Sequence, residues 1–242
     1  MSNLLQRRQP KNGRLTIGRW QQAAVLAVGL GVVGAAQADV APFAATYQFS
    51  IENKYNGTAT RTLTKNGNQY NYNVRANVGK LASARQNATF GTTGGVVQPV
   101  VSSTQYRVLG VGNTTELRFN PTGKQVTSTH KGKTQILPLT QAAYDDLSLE
   151  VQIREDLKNN RFRGNYAMVG RNKIEAVPFT KSAPTRIRVP AGTFDVVRID
   201  RVHDDKDRQT SFWLAPSLDY LPIKVVQTND GRRMQMELVK VN

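Results

Sequence analysis

Val189-Pro190-Ala191-Gly192-Thr193-Phe194-Asp195, then Phe212-Trp213-Leu214-Ala215-Pro216 and Leu221-Pro222-Ile223-Lys224, is the segment from which the chain reads as a β protein. Pro190 restricts φ, Gly192 accepts the positive φ of a tight turn, and Phe194 opens the strand that follows. Asp204, Asp205, Lys206 and Asp207 make a polar tip between two strands dense in large apolar side chains, so a long hairpin is expected there. Phe194 and Val196 share one parity, Val197 and Ile199 the other. That switch calls for a bulge or for a strand covered on both faces. None of this is reactive chemistry; it is scaffold.

The same hairpin rhythm runs outward in both directions. Tyr47, Phe49 and Ile51 alternate with polar neighbours, and Tyr55-Asn56-Gly57 reads as the first turn. Lys65-Asn66-Gly67-Asn68 reads as the second, leading to a strand with Tyr70, Tyr72 and Val74 on one face. Further turns fall at Thr92 to Gly95, Gly110 to Gly112, Asn120-Pro121-Thr122-Gly123 and Lys131-Gly132-Lys133. Pro99 assigns its own segment to an edge or a short piece. At the far end Met234, Met236 and Leu238 face one way, Gln235 and Glu237 the other.

One segment departs from the rhythm. Asp145 and Asp146 can cap a helix reaching Lys158, with a strand as the alternative because Leu147, Leu149, Val151 and Ile153 alternate at first. As a helix its apolar residues cover about half the circumference, wider than the ~100° stripe of a surface helix, so it has to be enclosed. The expected fold is mainly β. It is a single strongly curved antiparallel sheet, or an incomplete barrel, of about ten strands enclosing one central helix.

The N-terminus carries an address. Arg7, Arg8, Lys11, Arg14 and Arg19 precede an apolar run from Ala23 to Gly34, and Ala36-Gln37-Ala38 fits the small-x-small cleavage rule. Residues 1–38 are therefore expected to be a secretion signal cleaved after Ala38, leaving one domain, 39–242, in a bacterial periplasm. The chain has no cysteine, so core burial alone must hold it together and no lipid anchor can be attached at the cleavage site. Without the five basic residues of the signal, the 33 Lys and Arg fall to 28 against 17 acids, a formal excess of +11. A basic exported protein works among anionic partners such as lipid headgroups and wall polymers. The compartment argues against nucleic acid. The bland reading of the scattered charges is solubility.

Catalytic and metal chemistry find little support. His130 and His203 lie far apart. The acids beside His203 lack the glycine and distal glutamate of a calcium loop, and a solvated hairpin tip accounts for them. No Gly-x-Ser-x-Gly turn occurs, and Asp145 with Asp146 read as a cap. The expectation is a non-enzymatic protein without cofactor or metal.

The order of these motifs resembles one family. An early Tyr-rich meander, Asp145-Asp146-Leu147-Ser148, Pro190 to Phe194, Trp213-Leu214, Leu221 to Lys224 and a closing Gly231 are similar to the exported bacterial proteins of domain-of-unknown-function family 3108. The resemblance spans most of the chain after residue 38. It implies a curved β-sheet with a general likeness to periplasmic lipoprotein-carrier half-barrels, which hold acyl chains on a concave face. Those motifs are turn and packing residues, so they bear on fold and hardly on activity.

The leading expectation is a periplasmic binding or carrier protein for a lipid-like or anionic envelope ligand. The candidate lining is Tyr70, Tyr72, Phe194, Phe212, Trp213 and Tyr220, with Arg186 and Arg198, beside Arg188 and Arg201, at its rim. The competing explanation for those aromatics is ordinary core packing. A second reading is a structural or assembly factor contacting other envelope proteins through sheet edges. The third and weakest is a small outer-membrane barrel, against which stand the short strands, the helix and the terminal Asn242.

Overall fold

The computed structural model describes residues 40–242, so the signal segment read at 1–38 lies outside the described residues. The first eight strands are β1 (Phe43–Ile51), β2 (Tyr55–Asn66), β3 (Gln69–Val78), β4 (Ala82–Thr93), β5 (Val96–Val108), β6 (Val111–Asn120), β7 (Gln125–His130) and β8 (Lys133–Pro138). A two-residue strand, β9 (Ala143–Tyr144), leads into helix α1 (Asp146–Lys158). Then follow β10 (Asn165–Val169), β11 (Ile174–Lys181), β12 (Thr185–Val189), β13 (Gly192–Arg201) and β14 (Arg208–Ala215). A 3-10 turn at Pro216–Leu218 precedes β15 (Leu221–Asn229) and β16 (Arg232–Val241).

The fold is mainly β, with one large open sheet of 16 strands instead of the ten or so expected. In the middle of the chain the turns at Gly94-Gly95 and Leu109-Gly110 separate strands of ten residues and more. The strands run β8-β7-β6-β5-β4-β3-β2-β1-β16-β15-β14-β13-β11-β10-β9, with β12 paired only to β13. All neighbours are antiparallel except β9 and β10. The two sheet ends approach each other: Leu117, Val126 and Leu137 of β6 to β8 pack with Ala143, Ala167 and Val169 of β9 and β10. Ser128 Oγ also donates to the Arg171 carbonyl at 2.7 Å. Side chains, rather than a ladder, join these ends.

Two local readings are corrected. The first turn lies at Glu52 and Asn53, both at positive φ, while Asn56 and Gly57 belong to β2. Gly57 is there for clearance, since a Cβ would meet the Asn77 carbonyl oxygen at 1.9 Å. Pro99 does not mark an edge. It sits in the interior strand β5 beside a register shift, with Phe90 opposite Pro99 and Thr89 opposite Val101, the kind of irregularity that tolerates a missing N–H. The parity switch in β13 has a plain cause. Gly192 to Val196 pair with β12, and Val197 onward with β14, so Val196 and Ile199 are buried in different clusters.

The segment from Asp146 to Lys158 is helical. Asp145 accepts from the N–H groups of Leu147 and Ser148, and its own N–H donates to Ser148 Oγ, a reciprocal cap. From Leu147 to Leu157 every helical residue except Glu150 is buried, including Gln152, Arg154, Glu155 and Asp156. Gln152 and Asp156 are bonded, and Arg154 Nε donates to the Asp219 carbonyl while its Nη1 has no partner among the described residues. Gln152 Oε1 accepts from the Val97 N–H at 2.8 Å, its amide nitrogen donates to Asp156 at 2.9 Å, and the Tyr166 hydroxyl donates to Asp156 at 2.8 Å. A helix so buried is held in place by hydrogen bonds as much as by apolar contact.

Candidate functional site

Antiparallel pairing places β1 to β5 and β13 to β16 so that one face of each strand looks inward. Along β3 that face carries Tyr70, Tyr72, Val74 and Ala76; along β16 it carries Leu238, Met236 and Met234. At one end the inward side chains of the strands pack with α1 in one buried cluster. Tyr47, Tyr70, Tyr72 and Phe90 are fully buried there, Tyr70 stacked on Phe90 with centroids 5.4 Å apart. Toward the other end the inward residues become smaller or half exposed, and the interior opens into a cavity of about 510 Å³. Its walls include Phe49, Val74, Ala76, Met168, Phe212, Val225, Met234 and Met236, and its floor is the first turns of α1 through Leu147, Leu149 and Ile153. That volume lies inside the roughly 300–1,000 Å³ range of small-molecule sites. A second concavity of about 400 Å³ is lined chiefly by polar residues, among them Gln48, Ser50, Asn53, Asn56 and Glu237, and offers little apolar wall.

The charged lining is sparse and asymmetric: Arg61, Arg201 and Arg208 against Asp146 and Glu150, with His203 beside them. Arg61 pairs with Glu150, which also accepts from the Tyr72 hydroxyl at 2.8 Å. The guanidinium lies over the rings of Tyr72 and Tyr47. Burial alone would lower the Arg61 pKa, but Glu150 and the two tyrosines outweigh it and raise it. Arg61 Nε and Nη1, and Arg201 Nε, are buried without a hydrogen-bond partner among the described residues. Asp146 is exposed where it faces the cavity; desolvation raises its carboxyl pKa, opposed by Arg201. Burial, then Arg201 and Arg208, lowers the His203 pKa, and its Nε2 lies 3.0 Å from Thr210 Oγ1.

The residues singled out from the sequence scatter across this frame. Phe212 lines the cavity, as does Arg201. Tyr70 and Tyr72 belong to the closed end, and Tyr220 packs beside that core. Phe194 and Trp213 join a second cluster where the β12–β13 hairpin meets β1, β2, β15 and β16, Trp213 lying under the Lys224 ammonium. Arg186 and Arg198 are exposed and bonded to Asp195 and Asp200, and Arg188 is exposed as well. Sequence reading missed Phe49, Arg61, Val74 and the helix face as cavity lining. The alternations Tyr47-Phe49-Ile51 and Met234-Met236-Leu238 were the available signal.

A barrel-like sheet around a partly filled interior is thus the class that fold and cavity define. The chain belongs to the family described as "Protein of unknown function (DUF3108)", whose model matches residues 43–239. Among solved structures it is similar to a crystal structure of a β-barrel-like protein of domain of unknown function DUF1849 from Brucella abortus. The TM-score is 0.55 at 10% identity, over 84% of this chain and 98% of that one. No curated protein matches it. No helix among the described residues is long and apolar enough to cross a membrane.

Proposed function

We propose that this protein is a non-enzymatic, exported binding or carrier protein that takes the apolar body of an amphiphile into the cavity and meets its anionic head with arginine. The observation that carries the reading is the cavity's make-up: a largely apolar wall that includes Phe49, Val225 and Met236, interspersed with Gln and Thr side chains, His203, three arginines and two acids. Moving a methylene from water to such a wall contributes about 0.8 kcal/mol, so roughly ten methylenes supply about 8 kcal/mol, close to what micromolar binding needs before the ordering costs, and a longer chain or the headgroup contacts must offset those. The excess of arginines over acids on the lining, Arg61, Arg201 and Arg208 against Asp146 and Glu150, favours a carboxylate or phosphate head over a cationic one. The basic N-terminal segment and its small-x-small site support export to the periplasm as the setting.

The test is displacement of a fluorescent fatty acid. Wild-type protein should bind the probe, and Met236→Trp, which puts a larger ring into the cavity, should weaken binding at least about tenfold. Trp213→Ala, outside the cavity, should leave it unchanged. Absence of probe binding, and native mass spectra of periplasmic protein with no lipid adduct, would overturn the proposal.

A further inference from the structure

The inward face of the sheet does not stop at the rim. Thr104 and Tyr106 of β5 line the cavity, and Val108 continues the same face beyond them, paired with Ala82 on one side and Val111 on the other. Past the rim the face is apolar and open to solvent: Leu109 is 73% exposed and Val111 79%. Leu81, at the tip of the adjacent β3–β4 hairpin, joins the patch, and its carbonyl accepts from the Leu109 N–H at 2.8 Å. Two hairpin tips are thereby tied into one lip.

Leu109 occupies a position that a leucine seldom takes. Val108 and Val111 face each other across a two-residue turn, in which Leu109 has φ +50° and Gly110 φ +81°. Such turns favour Asn or Asp before Gly, because their side chains tolerate the left-handed region. Lys131-Gly132 and Asp230-Gly231 fill the equivalent slot in two other hairpins with polar residues. At Leu109 the fold accepts local strain to hold an apolar side chain in solvent, with no core burial in return. The lip also carries Lys80 and Arg107, both exposed, and no acid occurs from Gly79 to Ala82 or from Tyr106 to Asn113.

The geometry points to this lip as a docking surface for an anionic lipid bilayer. Leu109, Val108, Val111 and Leu81 enter the interface between headgroups and acyl chains, and Lys80 and Arg107 lie against the negative headgroups. A protruding apolar tip flanked only by cations fits a surface that is greasy below and negative above. Continuity between lip and cavity wall lets an acyl chain pass from one to the other without crossing water. The docking itself does not depend on what the cavity holds.

The experiment is co-flotation of the full protein with vesicles of phosphatidylcholine alone, or with about 30% phosphatidylglycerol. Wild type should float with the anionic vesicles, less so as salt rises, and stay behind with the neutral ones. The double variant Leu109→Asn with Val111→Thr suits the turn better than the natural residues, so it should fold at least as well. It should lose vesicle binding by about tenfold or more. The proposal is overturned if wild type ignores anionic vesicles, or if the variant floats equally well. It is also overturned if wild type runs as a dimer that the variant breaks, since a second copy would then cover the lip. Fatty-acid probe binding, measured in solution on both proteins, reports on the cavity separately and should be the same in each.

Discussion

Arg61 on β2 and Glu150 on α1, 89 positions apart in sequence, form a largely buried ion pair at the boundary between the filled end of the barrel-like interior and its cavity. The Tyr72 hydroxyl donates to the other carboxylate oxygen at 2.8 Å, so one glutamate ties two strands to the helix. The pair positions the floor of the cavity, and its energetics are those of charges removed from water. Their value lies in being matched.

Arg61→Ala should therefore destabilise the protein by about 3 kcal/mol or more, because it leaves the Glu150 carboxylate with only Tyr72 as a partner. Replacing both Arg61 and Glu150 by methionine should cost much less than Arg61→Ala alone. Urea denaturation of the three proteins gives the comparison. A double variant as unstable as the single one would contradict this account.

Asp145 titrates in an unusual range. Burial pushes its carboxyl up to about 6 from the ordinary 3.8, against the hydrogen bonds from Ser148 and Leu147. The folded state holds this proton more tightly than the unfolded chain does. Its contribution to stability is thus fully present below 3.8 and is lost as pH rises through about 6. The difference amounts to roughly 3 kcal/mol across the window. Asp145→Asn keeps a capping oxygen without the charge, so its melting temperature should vary less with pH between about 4 and 7 than that of wild type. Parallel profiles would refute the assignment.

Gly57→Ala should be severe although it adds one methyl. The new Cβ would meet the Asn77 carbonyl oxygen at 1.9 Å, and that oxygen belongs to the adjoining backbone of β3, which cannot yield without breaking the ladder. A loss of more than about 2 kcal/mol is expected by chemical denaturation. Gly91→Ala offers the contrast: its Cβ would meet nothing nearer than 3.6 Å, and its cost should stay below about 1 kcal/mol.

Gln152 is buried on α1 and bonds the Val97 N–H, the Gly95 carbonyl and Asp156. Gln152→Leu keeps the volume and strands the buried Val97 N–H and Asp156, and leaves the part-buried Gly95 carbonyl without this donor. Each stranded group costs about 1–3 kcal/mol, so a total near 3 kcal/mol is expected in the same denaturation experiment. A neutral outcome would mean that the α1–β5 junction rehydrates.

What the chain discloses on its own is largely its punctuation. Gly67, Gly94, Gly132 and Gly231 mark turns because a positive φ is a local demand that few residues meet, and each lies where a turn forms. Asp145 and Ser148 announce the start of α1 for the same local reason. The alternation of Met234, Met236 and Leu238 shows a two-faced strand, though not what either face meets. Turn positions were less legible: the turn read at Gly110 to Gly112 lies at Leu109-Gly110, and Gly57 imitates one while serving as clearance.

The cavity was decided by pairing across long stretches of chain. Ala45 lies opposite Val241, and Ile199 opposite Phe212 but three strands away from Met236, relations no local pattern encodes. Trp213 and Phe212 are neighbours in sequence, yet only Phe212 lines the cavity, because adjacent strand residues take opposite sides. Which side is the inside depends on how the whole sheet curves and on where α1 lies, and both follow from burial summed over the domain. The sequence alone determined most of the hairpin turns, the capping residues at Asp145 and Ser148 and the basic, cysteine-free character, since these rest on single-residue backbone preferences and on composition. Only the tertiary structure decided that Arg61 meets Glu150 and that Met236 faces an open hollow, because such contacts exist only once distant strands share one interior.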